Sequence, residues 1–185
     1  MFSAIRSESV NSEAIGKLHN ITYLISPDKL CVHEQLVTIY GETEERPDLQ
    51  ASIVANGIIK PLVTSRRTGA NVVISGKCRL QIARNLGLET VPVEFRDYSS
   101  WEQEVQDILL ENQERKVKTT FQKIGEAITR EGLEANAAKK RKGRRKHSCP
   151  QELGQARDKA ATAVGMSGRS YEDGKKVWHF ISDLR

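Results

Sequence analysis

The stretch "VVISGKCRLQIARNLGLETVPVEF" puts Gly76 directly after an apolar β-branched run and follows it with Lys77 and Arg79. The first N–H groups of a helix have no intrahelical partner and carry partial positive charge, so a helix starting at Gly76 or Lys77 is suited to an anion. Gly76 would let the backbone come close to the guest, and Lys77 and Arg79 would add charge-assisted hydrogen bonds. Phosphate is the natural candidate. The plain alternative is a pair of solvated cations on an exposed helix, although cations there slightly oppose the helix dipole. A second cluster holds Glu111, Asn112 and Arg115, with Glu111 and Arg115 four residues apart on one helical face. By pattern alone it is an ordinary i,i+4 ion pair at the end of a solvent-facing helix.

These residues need elements to position them. "ITYLI" (21–25), stopped by Ser26-Pro27, predicts an opening strand. "RPDLQASIVANG" predicts a helix of about ten residues, with Pro47 at the first position, Asp48 on the positive dipole end and Gly57 closing it. "PLVTS" and "NVVIS" predict two strands of a hairpin turning at Gly69. After Gly76, the spacing of Leu80, Ala83 and Leu86 predicts a helix ended by Gly87, with Leu88 folding back onto Ala83 as in a Schellman motif. "TVPVEF" is a further strand. Ser99 and Ser100, with Glu102 and Gln103 three residues after each, form a capping-box pattern ahead of a helix carrying Trp101, Val105, Ile108 and Leu109. "TTFQKIGEAITREG" predicts another helix, capped by Thr119 or Thr120 and ending at Gly132.

The charge is unevenly distributed. Residues 1–100 carry eleven Lys/Arg against eleven Asp/Glu, residues 101–138 five against eight, and residues 139–185 thirteen against five, so the last quarter holds +8 of a chain whose total is +5. A polyanion such as nucleic acid would be met there. "KKRKGRRK" contributes Lys139, Lys140, Arg141, Lys142, Arg144, Arg145 and Lys146, a run that repels itself and reads as a linker or helix tail. Beyond Pro150, helical spacing returns (Leu153, Ala156, Ala160, Val164), breaks at Gly165-Met166 and resumes after Ser167 as N-cap with Tyr171, Val177, Trp178, Ile181 and Leu184. The segment resembles a helix-turn-helix, which would make Arg169 a base reader among Ser167 and Ser170, and Lys175 and Lys176 phosphate contacts. The alternative is an αα-hairpin packed on the preceding domain, which Glu172 and Asp173 favour.

Taken together, "GIIKPLV", "VVISGKCRLQIARNLGLETVPVEF" and "ENQER" resemble the N-terminal domain of the ParB family, the ParB/sulfiredoxin fold, over roughly residues 20–130. That resemblance implies that Gly76, Lys77 and Arg79 face Glu111, Asn112 and Arg115 around a nucleotide phosphate or a DNA contact. Chromosome-partition members bind and hydrolyse CTP with magnesium there, so the implied cofactors are magnesium with CTP, ATP or ADP, with Glu111 reaching the metal through the nucleotide. Partition members usually carry Gly-Glu-Arg-Arg and a further arginine, where this chain has Gly76, Lys77, Cys78, Arg79 and Gln81. The resemblance therefore speaks for anion binding and against CTP hydrolysis. Sulfiredoxins place their catalytic cysteine directly after the glycine; here Lys77 stands there, and Cys78 is turned away by about 100° of helix, which argues against their chemistry. Free-serine kinases of the superfamily carry a catalytic glutamate in a His-Glu segment, and His33-Glu34 makes Glu34 the corresponding candidate of an enzymatic alternative.

Composition excludes other classes. Hydrophobic residues at 38% and charged residues at 29% describe a polar globular chain, and no apolar run approaches the roughly 20 residues of a membrane span. No secretory leader is visible. Cys31, Cys78 and Cys149 are too few and scattered for a disulfide framework, and His147 with Cys149 is too isolated for zinc. The expectation is a cytoplasmic, nucleoid-associated bacterial protein that binds double-stranded DNA and no membrane, with a nucleotide and a homodimer as further partners to test. The expected fold class is α/β (α+β). A tail (1–19) would lead into a ParB-like mixed sheet with helices (20–98) and a helical extension (99–138), then a basic linker (139–150) and a small all-α helix-turn-helix (151–185).

Overall fold

The computed structural model describes residues 22–42, 44–113, 118–142 and 152–182. Arg115, Arg144, Arg145, Lys146, His147, Cys149 and Leu184 lie outside the described residues, as does the N-terminal tail.

Five strands form one mixed sheet: β1 (Thr22–Ile25), β2 (Cys31–Val32), β3 (Leu62–Ser65), β4 (Val72–Ser75) and β5 (Val91–Arg96), in the order β1-β5-β3-β4-β2. The hairpin β3–β4 is antiparallel, as its spacing predicts, and turns at Gly69 with φ of 79°. β5 runs parallel to β3 and antiparallel to β1, and β2 is parallel to β4. Alternation then sorts the side chains. Val63 and Ile74 face a core built with α1 (Glu34–Tyr40), α4 (Trp101–Glu111) and α5 (Thr120–Lys142). Leu62, Val73, Val91 and Val93 face a second core with Leu80 and Ala83 of α3 (Lys77–Asn85). The helix α2 (Pro47–Asn56) buries little beyond Ile53.

The local stops behave as their chemistry demands. Gly87 (φ 65°) follows α3, and the Leu88 N–H bonds the Ala83 carbonyl at 3.0 Å, completing the Schellman motif. Ser100 Oγ accepts from Gln103 N at 3.3 Å while the Ser99 N–H bonds Gln103 Oε1 at 3.0 Å, a capping-box exchange whose return bond falls one residue before the N-cap.

Two elements depart from the expectations. The helix expected to end at Gly132 runs on to Lys142. Gly132 is exposed and meets nothing, whereas Leu133 is buried in the first core and Ala127 in a third with Ala160, Ala161 and Tyr171. Burial on both sides offsets the ~1 kcal/mol that a mid-helix glycine costs. Lys139–Lys142 are therefore the tail of a helix, and the boundary expected at residue 138 falls inside α5. Second, α1 matches no element expected from the sequence, and it has no conventional cap: His33 takes that place, its Nδ1 accepting from Gln35 N at 3.0 Å.

That cap fixes the neutral tautomer with the proton on Nε2. Burial lowers the His33 pKa; the nearby Glu104 opposes the shift and Arg67 adds to it. Because the folded value lies below the unfolded value of 6.5, the unfolded chain takes up the proton first, and stability should fall as pH drops below that value. Thermal unfolding between pH 7.5 and 5.5 measures this. His33→Asn, which keeps a cap acceptor, should flatten the slope; equal slopes would refute the assignment.

α5 also carries the C-terminal pair, α6 (Glu152–Ala163) and α7 (Gly168–Ser182). Ser167 caps α7, its Oγ accepting from Ser170 N at 3.1 Å. Tyr171 is fully buried, with its hydroxyl donating to Glu131 Oε2 of α5 at 2.6 Å. Both helices thus pack on α5, with residues 164–167 as the turn. No helix among the described residues is long and apolar enough to cross a membrane.

Candidate functional site

Where β4 ends, Ser75 and Gly76 lead into α3 at the floor of a pocket of about 320 Å³. Its walls come from α1 (Leu36, Tyr40), the start of α2 (Arg46, Leu49), Lys60 ahead of β3, the first turn of α3 (Lys77, Cys78, Arg79) and the end of α4 (Glu111, Asn112). The structure thus brings Gly76, Lys77, Arg79, Glu111 and Asn112 together from separate parts of the chain.

Their roles are more particular than helix-start cations. Lys77 is not a solvated surface cation: it is 7% exposed, and its ammonium donates to the Gly41 carbonyl at the end of α1. Arg79 donates to the carbonyls of Lys60 and Pro61, the latter at 2.7 Å. Burial lowers its pKa, and Glu111 and Cys78 offset part of that shift. Gly76 is left-handed (φ 103°), but what approaches it is the protein itself: an added Cβ would stand 3.1 Å from Leu62 Cγ and 3.2 Å from Arg79 Cζ. The glycine is required because the Arg79 guanidinium folds over it. Gly76→Ala should therefore cost about 1–3 kcal/mol of stability from the positive φ alone and push Arg79 off its two carbonyls. Denaturant unfolding reads this, and a wild-type midpoint would contradict the packing.

Glu111 is the one carboxylate among the described lining residues. Its Oε1 pairs with Arg96 Nη1 at 3.0 Å, and its Oε2 accepts from Ser75 Oγ at 3.3 Å and lies 3.7 Å from Lys60 Nζ. Arg96 also bonds Asp107 at 2.7 Å and Glu94 at 3.1 Å; burial disfavours its charge, but these carboxylates raise its pKa overall. Asn112 spends its side-chain amide on the Ile108 carbonyl at 2.8 Å, finishing α4. Glu34 lies exposed in the first turn of α1 and is not among the described residues lining the pocket, so the proposed kinase base is not brought to it. Cys78 Sγ is 3.5 Å from Glu44 Oε2.

Sequence reasoning overlooked Arg46 and Lys60. Arg46 precedes the helix start at Pro47 and Lys60 precedes Pro61, and each was legible only as a charge beside a proline.

At the C-terminal end the cations divide. Lys140 is held by Glu102 at 2.7 Å, an anion whose pKa drops to about 2 chiefly through that bond. Lys175 pairs with Glu131 Oε2 at 2.7 Å; burial alone would raise Glu131, but Lys175 and Tyr171 bring it below its ordinary value. Lys175 therefore serves the α5–α7 contact. Lys176 lies 3.6 Å from Asp173 with both side chains exposed. Lys139, Arg141, Arg169 and Ser170 are exposed as well.

A five-stranded mixed sheet whose strand β4 feeds a glycine-started helix, faced by a helix ending in Glu-Asn, is the α/β architecture of ParB N-domains. The family model for the ParB N-terminal domain matches residues 19–113, just over half of the chain, and the chain belongs to that family. Among solved structures, a pNOB8-like ParB N-domain in its C2221 form is 19% identical, with 89% of this chain and 70% of that one covered and a TM-score of 0.53. A second structure of the pNOB8-like ParB N-domain gives 16%, 89%, 66% and 0.51. The chromosome-partitioning protein ParB of Caulobacter crescentus, C-terminally truncated and complexed with CTP-gamma-S, gives 16%, 83%, 76% and 0.43. No curated protein sequence matches the chain.

Proposed function

We propose that the chain is a ParB-like protein of the partition or transcription-regulator type, which binds double-stranded DNA through its basic C-terminal quarter and receives a nucleotide's phosphates in the pocket at Gly76. The observation that carries the reading is the convergence of Arg46, Lys60, Lys77 and Arg79 on one concavity against a single described carboxylate. Such a site is positive overall and favours an anion. Leu36, Tyr40 and Leu49 supply an apolar wall suited to a base or sugar. Magnesium fits only as the nucleotide's companion: Glu111 Oε2 could take one position while phosphates and waters supplied the rest, since no group of three or more His, Cys, Asp or Glu able to hold a metal occurs among the described residues.

For DNA, the support is the +8 charge of residues 139–185 and the exposure of Lys139, Arg141, Arg169 and Lys176 along α5 and α7. Lys140 and Lys175 already hold carboxylates and are expected to contribute less. Nucleoid association follows from this reading. A mobility-shift titration of duplex DNA from 50 to 200 mM salt tests it. Affinity should fall steeply, with a slope of about −0.9 for each phosphate neutralised. Arg141→Ala and Lys176→Ala should each reduce that slope by about one, whereas salt-independent binding would overturn the assignment.

A further inference from the structure

A second pocket, of about 440 Å³, opens where α4, α5 and α6 come together, and it shares no described lining residue with the pocket at Gly76. Two cores meet in its walls: Leu109 and Leu133 belong to the first and Ala160 to the third. Leu110 and Ala163 also line it and are exposed, Leu110 by 62%. Three charged side chains complete the described lining. Arg130 of α5 is half-buried, and its Nε is buried with no hydrogen-bond partner. Lys159 and Glu134 are exposed. None of the three forms an ion pair among the described residues. A buried donor without an acceptor is unfavourable and uncommon in native proteins, so this guanidinium calls for a partner.

We infer that this pocket binds a small monocarboxylate with an apolar body, and that Arg130 holds its head group. A guanidinium offers Nε–H and one Nη–H side by side, at the spacing of the two oxygens of a carboxylate. The lining charges decide the valence of the guest. Arg130 and Lys159 against Glu134 leave one net positive charge, which a single carboxylate neutralises. A phosphate dianion or a polyanion would exceed it and be repelled by Glu134. The leucines and alanines supply a wall for the apolar body, and the volume lies in the range of small-molecule sites. Such a guest would touch α4 of the ParB domain and α6 of the C-terminal pair at once, two helices that both lean on α5. Its binding would therefore brace the second against the first, as an effector does.

Calorimetry and thermal melting of the full chain with octanoate, octylamine, octanol and octyl phosphate, beside amide exchange, test this. Octanoate should bind, raise the melting temperature and slow exchange in α6. Octylamine and octanol should bind about tenfold more weakly or worse, as loss of one charge-assisted hydrogen bond implies. Arg130→Met keeps an apolar stem and removes the unpartnered donor, so it should melt at or above the wild-type temperature yet lose octanoate affinity about tenfold or more. Ala163→Trp keeps Arg130 and fills the pocket, and it should abolish binding. The inference is overturned if either variant binds octanoate like wild type, if Arg130→Met melts well below wild type, or if octylamine binds as well as octanoate. Tighter binding of octyl phosphate than of octanoate would overturn the head group and the inference with it, and so would failure of every probe to bind.

Discussion

Glu104→Ala should lower the unfolding free energy by about 3 kcal/mol or somewhat more, the range for breaking a buried ion pair from one side. Glu104 sits in the first turns of α4 with 1% of its surface exposed. Its Oε2 accepts from Arg67 Nε, in the β3–β4 turn, and stands 3.8 Å from His33 Nε2 at the cap of α1. One carboxylate thus joins a hairpin and two helices that meet the same core. Its removal leaves a void among buried side chains and takes the partner from Arg67, whose side chain is 27% exposed and can turn partly to water. That escape keeps the loss toward the lower end. Glu104→Gln, which retains volume and an acceptor oxygen, should cost only about 1 kcal/mol, close to the net value of one hydrogen bond. The two variants also differ from wild type in pH response. Glu104 raises the His33 pKa against burial, so without its charge the folded value drops further and more stability is lost on acidification below 6.5. Urea unfolding of both variants at pH 7.5 and 5.5 measures both effects. Equal losses for alanine and glutamine at both pH values would show that only volume matters there.

This network also marks where sequence reading stops. The elements written by local chemistry were legible: the Ser99–Ser100 cap of α4, the Gly87 stop of α3, the turn at Gly69 and the Pro47 start of α2 each depend on residues within five positions of one another. The pocket was legible in part, since Gly76 and the Glu111–Asn112 pair stand beside recognisable elements and the family resemblance placed them face to face. What remained hidden depends on distant partners. His33, Arg67 and Glu104 are 34 and 37 positions apart along the chain, and nothing local distinguishes a buried glutamate in α4 from its exposed neighbours. α1 is a seven-residue helix with a histidine cap, too short for its periodicity to register and lacking the usual Ser, Thr, Asp or Asn. The surroundings of the cations were hidden for a related reason. Charge type and spacing place Lys77 and Arg79 at a helix start, but whether such side chains meet a ligand or a carbonyl depends on loops at Gly41 and Lys60 that the tertiary fold delivers.

Gly125→Leu should undock α7 from α5. Gly125 lies mid-helix in α5, where a glycine is unfavourable by ~1 kcal/mol relative to alanine, so a packing reason is needed. The Trp178 ring supplies it, lying so close that even a Cβ at Gly125 would overlap its six-membered ring. Trp178 is 6% exposed and stacks on Phe121 at 4.1 Å between centroids, with 27° between the rings. One turn earlier on α7, Gly174 comes equally close to Ile124, where a Cβ would stand 2.5 Å from Ile124 Cδ1. Two glycines, one on each helix, therefore let α5 and α7 approach, and the large side chain of each partner fills the gap. Alanine at 125 forces the indole to shift, and overpacking of that kind costs about 1–3 kcal/mol, less what the better helix former returns. Leucine has no nearby space and must displace the ring entirely. Tyr171 and Lys175 would then lose Glu131, which joins both to α5, while the sheet and its two cores, to which α7 contributes no residue, would keep their contacts. The expected outcome is a protein whose Trp178 fluorescence shifts to that of an exposed indole, whose C-terminal amides exchange rapidly, and whose β3–β5 amides stay protected. On the proposed DNA reading, specific binding should fall while nucleotide binding at Gly76 is unchanged. If Gly125→Leu leaves Trp178 fluorescence and α7 exchange at wild-type levels, close glycine packing is not what seats the C-terminal helix.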